Sequence, residues 1–292
     1  MKKPITPAAT APTPSAPPTP SAPTAASAPS APTAPTAPPA NTSQPAACAL
    51  NDNLRALRLS YMEAHALSAA KEAALKGIGH LEFLEKLVAA EAASLADRSV
   101  SRRVAAARFP ALKTMVGWDW SWPKKINRMQ IENLLRLHFL DNHSNVILLG
   151  GAGLGKTHLA CALGYAACQQ QHSVLFVSAI DVVNRLSAAQ ATHQLAREIK
   201  RYETPRVLVL DELGYLPLDK RGAELLFQII SKRYERASTI ITSNIVFKDW
   251  PRIFAGDATM TSALLDRLLH HAETVVIEGD SFRGPKPKSP PT

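Results

Sequence analysis

Residues Gly150-Gly151-Ala152-Gly153-Leu154-Gly155-Lys156-Thr157 spell a complete G-x-x-x-x-G-K-[ST] loop, a string that works only between a strand and a helix. Here an apolar run at 146–149 enters it and a helix-compatible stretch at 157–171 leaves it. Glycines let successive backbone N–H groups close around phosphate oxygens, and the partial positive charge of the following helix start adds to the attraction. Lys156 is placed to reach the β- and γ-phosphates of a nucleotide, and the Thr157 hydroxyl to ligate Mg²⁺. ATP and Mg²⁺ are the expected cofactors, and the binding set runs from Gly150 to His158.

Downstream the chain alternates between strand and helix. Strands are predicted at 173–178, 207–210, 239–242 and 275–277, with helical stretches at 181–202, 223–236 and 262–271 between them. This alternation predicts an α/β fold, a mostly parallel sheet flanked by helices. The all-aliphatic run Val207-Leu208-Val209-Leu210 is what a strand buried on both faces requires.

Ligands of an open sheet bind beyond the carboxyl ends of its strands. The glycine loop, Asp211-Glu212 and Asn244 all fall at such ends. Asp211 suits a carboxylate that holds Mg²⁺, and Glu212 a group that directs water at the γ-phosphate. Asn244 offers an amide that donates to phosphate oxygen and positions the water. Each alone is common; with the loop they point to ATP hydrolysis. Phosphoryl transfer also profits from an arginine at the γ-phosphate. The candidate is Arg267, which breaks the apolar run Leu264-Leu265-Asp266-Arg267-Leu268-Leu269, or else it pairs with Asp266 at the surface.

Ahead of the sheet, residues 51–107 read as helical. Leu54, Leu57, Tyr61 and Met62 make one apolar stripe and Leu81, Leu84, Val88, Ala92 and Leu95 another, with the breaker Gly77-Ile78-Gly79 between them. Residues 127–140 predict a further amphipathic helix, offering Ile131, Leu134, Leu135 and Leu137 for burial. Phe109-Pro110 and Trp122-Pro123 bracket a linker, since a residue before proline resists helix. Within it, Trp118-Asp119-Trp120-Ser121-Trp122 suits stacking on bases, packing on a nucleotide's adenine, or burial at a domain joint.

The formal charge of +9 bears on partners rather than on fold. From Arg98 to Arg136, nine basic residues stand against Asp119 and Glu132, a local balance of +7, so DNA is the expected macromolecular partner. Arg98, Arg102 and Arg103 share the last helix of the arm, either as a solvated basic face or as a DNA-contacting one. Residues 1–47 hold 14 of the 23 prolines among Ala, Thr and Ser, a composition that buries too little apolar surface to fold. That segment has neither an apolar core run nor an arginine, which argues against a secretory or mitochondrial signal. Cys48, Cys161 and Cys168 are too few and scattered for a disulfide framework or zinc site. No stretch reaches the length of a membrane span, and a soluble, cytoplasmic protein is expected.

Residues 51–283 resemble the IstB-type AAA+ ATPases, helpers of insertion-sequence transposases, which are similar in turn to DnaC-type helicase loaders. The segments that carry the resemblance are Phe109-Pro110-Ala111-Leu112-Lys113-Thr114, the phosphate loop, and Leu210-Asp211-Glu212-Leu213-Gly214-Tyr215-Leu216-Pro217-Leu218. Ser231-Lys232-Arg233-Tyr234-Glu235-Arg236, Thr242-Ser243-Asn244 and the stretch from Leu264 to His270-His271 add to them. Composition gives a disordered tail at 1–50 and another at 284–292, and between them the resemblance implies a helical domain at 51–116 and a P-loop AAA+ domain at 117–283 with little or no lid. It also implies nucleotide-dependent oligomers on DNA that recruit or stimulate a transposase. By position it makes Lys156 and Thr157 the nucleotide and Mg²⁺ contacts, Asp211 and Glu212 the acidic pair, Asn244 the sensor and Arg267 a finger acting in trans. It turns the helical region with Arg185, Arg197, Lys200 and Arg201 toward DNA. Two departures stand out: the Pro/Ala tail, and Gly151-Ala152 where the family generally has two prolines. The tail after Arg283 argues against a lid-borne second sensor, leaving Arg283 itself as the substitute. A replicative helicase loader is the alternative on the same core; a small-molecule kinase and a nucleotide-gated scaffold are more distant ones.

Overall fold

The computed structural model describes residues 43–123 and 125–282. Most of the expected proline tail, Lys124, and the C-terminal tail with Arg283 lie outside the described residues. The chain divides into two units after Asp52. Most of the first helix, α1 (Ser43–Ala56), lies before that division, so helix begins ahead of the expected residue 51.

Two long helices follow. α2 (Ser60–Lys76) stops at Gly77, whose φ of 63° continues no helix and suits a residue without Cβ; α3 (His80–Ala107) then runs for 28 residues. Leu54, Met62 and Ala66 form a small core with Leu59 and Leu87 against them, while Leu57 stays exposed. The second expected stripe does not go inside: Leu81, Leu84, Val88 and Leu95 are all exposed. α3 meets α2 through a different, polar seam. Glu91, only 2 % exposed, accepts from Met62 N at 2.8 Å and from Arg98 Nη2 at 2.7 Å. It thereby serves an N–H in the first turn of α2, a helix with no side-chain cap of its own. The far end of α3 is tied to the sheet domain: Arg103 Nε donates to Gln171 O at 2.7 Å and Ser99 Oγ to the Gln171 side chain at 2.8 Å.

Five parallel strands form the sheet, β1 (Asn145–Gly150), β2 (Val174–Ser178), β3 (Val207–Leu213), β4 (Ser238–Ser243) and β5 (Ala272–Ile277), in the order β2-β3-β4-β1-β5. Side chains alternate across a strand, and the core divides accordingly. Val146, Leu148, Val207, Val209 and Ile240 pack on one face with α4 (Arg128–Leu135) and α5 (Lys156–Gln169). Ile147, Leu208, Leu210 and Ile241 pack on the other with α6 (Ala179–Ala191), α7 (Leu195–Glu203), α8 (Lys220–Arg233) and α9 (Ala258–Leu269). This is the expected α/β class, a P-loop core whose parallel sheet is flanked by helices, with helices ahead of it. No helix among the described residues is long and apolar enough to cross a membrane.

Two expected helices are broken. The stretch at 127–140 ends as α4 at Leu135, reverses at Leu137 with φ 65°, and continues as the short turn His138–Leu140. That reversal buries Leu137, Phe139 and Leu140, which a straight amphipathic helix would have spread around its circumference. The stretch at 181–202 likewise splits into α6 and α7.

One buried cation staples the second layer. Arg233, 2 % exposed, donates to the carbonyls of Tyr202, Glu203, Pro205 and Ser238 and to Thr239 Oγ1, at 2.6–3.1 Å. Its burial pushes the guanidinium down to about 9, against the pull of Glu203.

Candidate functional site

The phosphate loop leaves β1 at Gly150 and enters α5 at Lys156, as the motif demands. Gly153 and Gly155 have φ of 77° and 85°, backbone that favours glycine. Space demands it too: a Cβ on Gly153 would meet Ser281 Oγ at 2.1 Å, and one on Gly155 would meet Trp118 Cη2 at 2.5 Å. Lys156 Nζ donates to the carbonyls of Gly150 at 2.9 Å and Gly151 at 2.7 Å, folded over its own loop. The opening N–H groups of any helix have no partner inside it, so the start of α5 is suited to anions.

Beside this cradle, β3 carries its acidic pair past the expected strand end at Leu210. The pairing of β3 with β4 slips between Leu210 and Leu213, and Glu212 adopts φ 59°. Such a bulge re-aims side chains that simple alternation would send to opposite faces. Asp211 is buried while Glu212 is exposed. Asp211 accepts from Thr157 Oγ1 at 3.0 and 3.1 Å and from Thr242 Oγ1 at 2.5 Å. Thr242 Oγ1 in turn accepts from Glu212 N at 2.9 Å.

These groups border a cavity of about 400 Å³ lined by residues 152–158, Glu212, Thr242 and Asn244. Its remaining wall comes from outside the sheet: Lys113, Trp118, Trp122, Tyr215 and Phe282. The three tryptophans of the linker have separate fates. Trp118 and Trp122 line the cavity, and each has a buried indole N–H without a protein partner. Trp120 packs in the core beneath, with the Arg128 guanidinium 4.9 Å from its ring centroid. His158 joins the linker to α5, its Nε2 lying 2.7 Å from Thr114 O and its ring edge-on to Trp118. The segment after β5 closes the rim, where Phe282 N donates to Gly153 O at 3.1 Å.

Of the expected residues, Ala152, Gly153, Leu154, Gly155, Lys156, Thr157, His158, Glu212 and Asn244 therefore meet at one cavity. Gly150, Gly151 and Asp211 support it from behind through the bonds above. Arg267 is elsewhere: its guanidinium lies over the Phe227 ring at 4.8 Å and donates to Ala263 O at 2.9 Å. Sequence reasoning missed Thr242, Tyr215 and Phe282. The available signal for Thr242 was a hydroxyl at a cleft-side strand end, next to Asn244.

The residues fit Mg·ATP. Thr157 and Asp211 offer hard oxygen donors, the class that Mg²⁺ prefers, and the two partnerless indole donors fit acceptor atoms of a bound base or sugar. Nearby Cys161 is an inert neighbour, its thiol pushed up to about 11 by burial and then by the charge of Asp211.

The basic residues divide between those held by bonds within the chain and those that are exposed, and Lys125 and Arg128 are both. Arg98 and Arg103 are held as described, Lys125 pairs with Glu278 at 2.9 Å and Arg128 with Glu132 at 2.6 Å. Arg102, Arg108, Lys113 and Arg136 are exposed. So are Arg185 on α6 and Arg197 and Lys200 on α7, whereas Arg201 pairs with Glu198 at 3.2 Å.

The insertion sequence IS21 putative ATP-binding protein of Pseudomonas aeruginosa is 39 % identical over 230 residues, covering 79 % of this chain and 86 % of that one. The IS5376 putative ATP-binding protein of Geobacillus stearothermophilus is 37 % identical over 227 residues, 78 % of this chain and 90 % of that protein. Among solved structures, the DnaC helicase loader superposes with a TM-score of 0.45 at 25 % identity, over 51 % of this chain and 87 % of that one. A family model described as IstB-like ATP binding protein matches residues 52–289, and the chain belongs to that family.

Proposed function

We propose that this chain is an ATP hydrolase that assembles on DNA and recruits or stimulates the transposase of an insertion sequence. The observation that carries the hydrolytic part is the convergence of Lys156, Thr157, Glu212 and Asn244 on one cavity, with Asp211 bonded directly to Thr157.

In this reading Lys156 leaves its carbonyl partners to bind the β- and γ-phosphates, together with the backbone N–H groups of the loop. Thr157 and Asp211 hold Mg²⁺, which supplies charge neutralisation on the phosphate oxygens when bound. Glu212 orients and polarises the attacking water, and Asn244 donates to the γ-phosphate and fixes that water. Trp118 and Trp122 enclose the base side of the cavity and keep bulk water out. Arg267, stacked on Phe227 away from its own cavity, serves the site of a neighbouring copy. Hydrolysis then depends on self-association.

The DNA part is supported by the exposed basic residues of the arm and of α6 and α7, and the transposase part by the insertion-sequence relatives. A helical domain at 51–116, an ATPase domain at 117–283 and a cytoplasmic setting belong to the same reading. The test is phosphate release and particle mass, each measured with and without duplex DNA across a salt series. DNA-stimulated turnover that Glu212→Gln and Lys156→Ala abolish, on particles larger than one chain, is the expected result. Salt should weaken DNA binding steeply, because phosphate contacts release counterions. Turnover that survives Lys156→Ala would overturn the hydrolytic assignment, and a pull-down returning a helicase without transposase would overturn the transposition part.

A further inference from the structure

We propose that Glu235, His270 and His271 form a binding site for a borderline transition-metal ion of the Zn²⁺ or Ni²⁺ class, on the side of the sheet opposite the ATP cavity. Glu235 follows α8 and precedes β4, and the two histidines fill the turn from α9 into β5. The cluster therefore sits at the amino ends of two strands whose carboxyl ends face the nucleotide.

Each of the three residues brings one donor atom within 4.8 Å of the other two. His270 Nδ1 and Glu235 Oε1 are already 3.7 Å apart, and the two imidazole centroids are separated by 4.2 Å. Donors on one tetrahedral zinc stand about 3.4 Å apart. All three residues are exposed, so small side-chain rotations bring them to that spacing without moving backbone. Two imidazoles and one carboxylate form a donor set that suits zinc, nickel or copper. Mg²⁺ favours oxygen and water instead, so the ion of the ATP site and the ion of this site differ in kind.

The Tyr234 hydroxyl, 3.0 Å from His270 Nδ1, would have to turn aside for that nitrogen to bind the ion. Binding would clasp the end of α8 to the end of α9, three residues beyond Arg267, and water would complete the coordination.

The experiment uses the full, untagged chain without nucleotide. Zn²⁺, Ni²⁺ and Mg²⁺ are titrated separately by calorimetry, and Co²⁺ is followed by its visible absorption. One Zn²⁺ or Ni²⁺ per chain is expected, with a rise in melting temperature and no effect of Mg²⁺. Combined His270→Ala and His271→Ala should abolish both binding and the thermal shift, and Glu235→Gln should weaken affinity at least about tenfold. Tyr234→Phe, which frees His270 Nδ1, should leave the stoichiometry at one and not weaken affinity. Should the double histidine variant lose its circular-dichroism spectrum, the near-isosteric Glu235→Gln carries the test. Failure of the parent chain to bind Zn²⁺ and Ni²⁺, or binding unchanged by these substitutions, would overturn the proposal.

Discussion

Asp211 and Glu212 depend on one hydroxyl. Thr242 Oγ1 donates to the Asp211 carboxylate at 2.5 Å and accepts from Glu212 N at 2.9 Å, so it fixes both the aspartate oxygens and the backbone that carries the glutamate. Thr242→Val keeps the shape and removes both bonds. The expected result is a fall in kcat for ATP of about 10–100-fold, the usual cost of losing an outer partner of a metal-holding group, with nucleotide affinity little changed. Phosphate release and a fluorescent-nucleotide titration read the two quantities separately. The loop residues and Glu212 that line the cavity were legible because the P-loop motif and an Asp-Glu pair point to one chemistry by residue type. Thr242 was not, because its role depends on a slip in strand pairing that no local pattern announces.

Buried cysteines give a second prediction at this scale. Cys161 and Cys168 are 1 % and 0 % exposed, and burial pushes both thiols up to about 11 from an ordinary value of 9.0. Below that ordinary value both folded and unfolded chains hold the proton, and the thiols impose no pH dependence. As pH rises from 9 toward 11 the unfolded chain loses its protons first, so stability should fall. In a Cys48→Ser chain at pH 8, a thiol reagent should label nothing until denaturant is added, then two groups. Rapid labelling of the native chain would contradict the packing of α5 against the sheet.

At the scale of elements, pattern and structure diverge where burial is decided by contact rather than by composition. The stripe of Leu81, Leu84, Val88 and Leu95 has the spacing of a buried helix face, yet all four are exposed. α3 instead uses Leu87, Glu91 and Arg98 toward α2. The carboxylate there replaces the missing cap of α2 and pairs with an arginine whose side chain is 41 % exposed. Glu91→Gln should therefore cost about 1.5–3 kcal/mol, the range for a hydrogen bond to a charged group, rather than the larger penalty of stranding a buried ion. Leu81→Ser should stay within about 0.5 kcal/mol, as exposed substitutions do. Denaturant unfolding gives both values, and faster amide exchange at Met62 should mark the first. The strands were easier to read than the helices: aliphatic runs buried on both faces leave little choice of register, whereas the reversal at Leu137 exists to bury Phe139 and Leu140 and has no turn residue to signal it.

At the scale of the molecule, the position of Arg267 bears on whether one chain can turn over alone. Its guanidinium is occupied by Phe227 and Ala263, and among the described residues no ion pair joins it to Asp266. The alternative of a simple surface pair is thus not what the structure forms, and the cavity has Lys156 but no arginine among its described lining residues. If a neighbour supplies the arginine, the site must lie at a head-to-tail interface, where one copy presents its cavity and the next its α9. Glu212→Gln and Arg267→Ala chains should then each be inactive alone, for different reasons. Mixed in equal amounts, they place an intact glutamate opposite an intact arginine at roughly one quarter of such interfaces, so phosphate release should recover toward that fraction of the parent rate. An arginine acting within its own chain gives no recovery at any mixing ratio, and an arginine without a catalytic role leaves the Arg267→Ala chain active from the start. Because both chains keep the phosphate loop, ATP binding should be equal in all three samples, which separates a defect in turnover from a defect in binding.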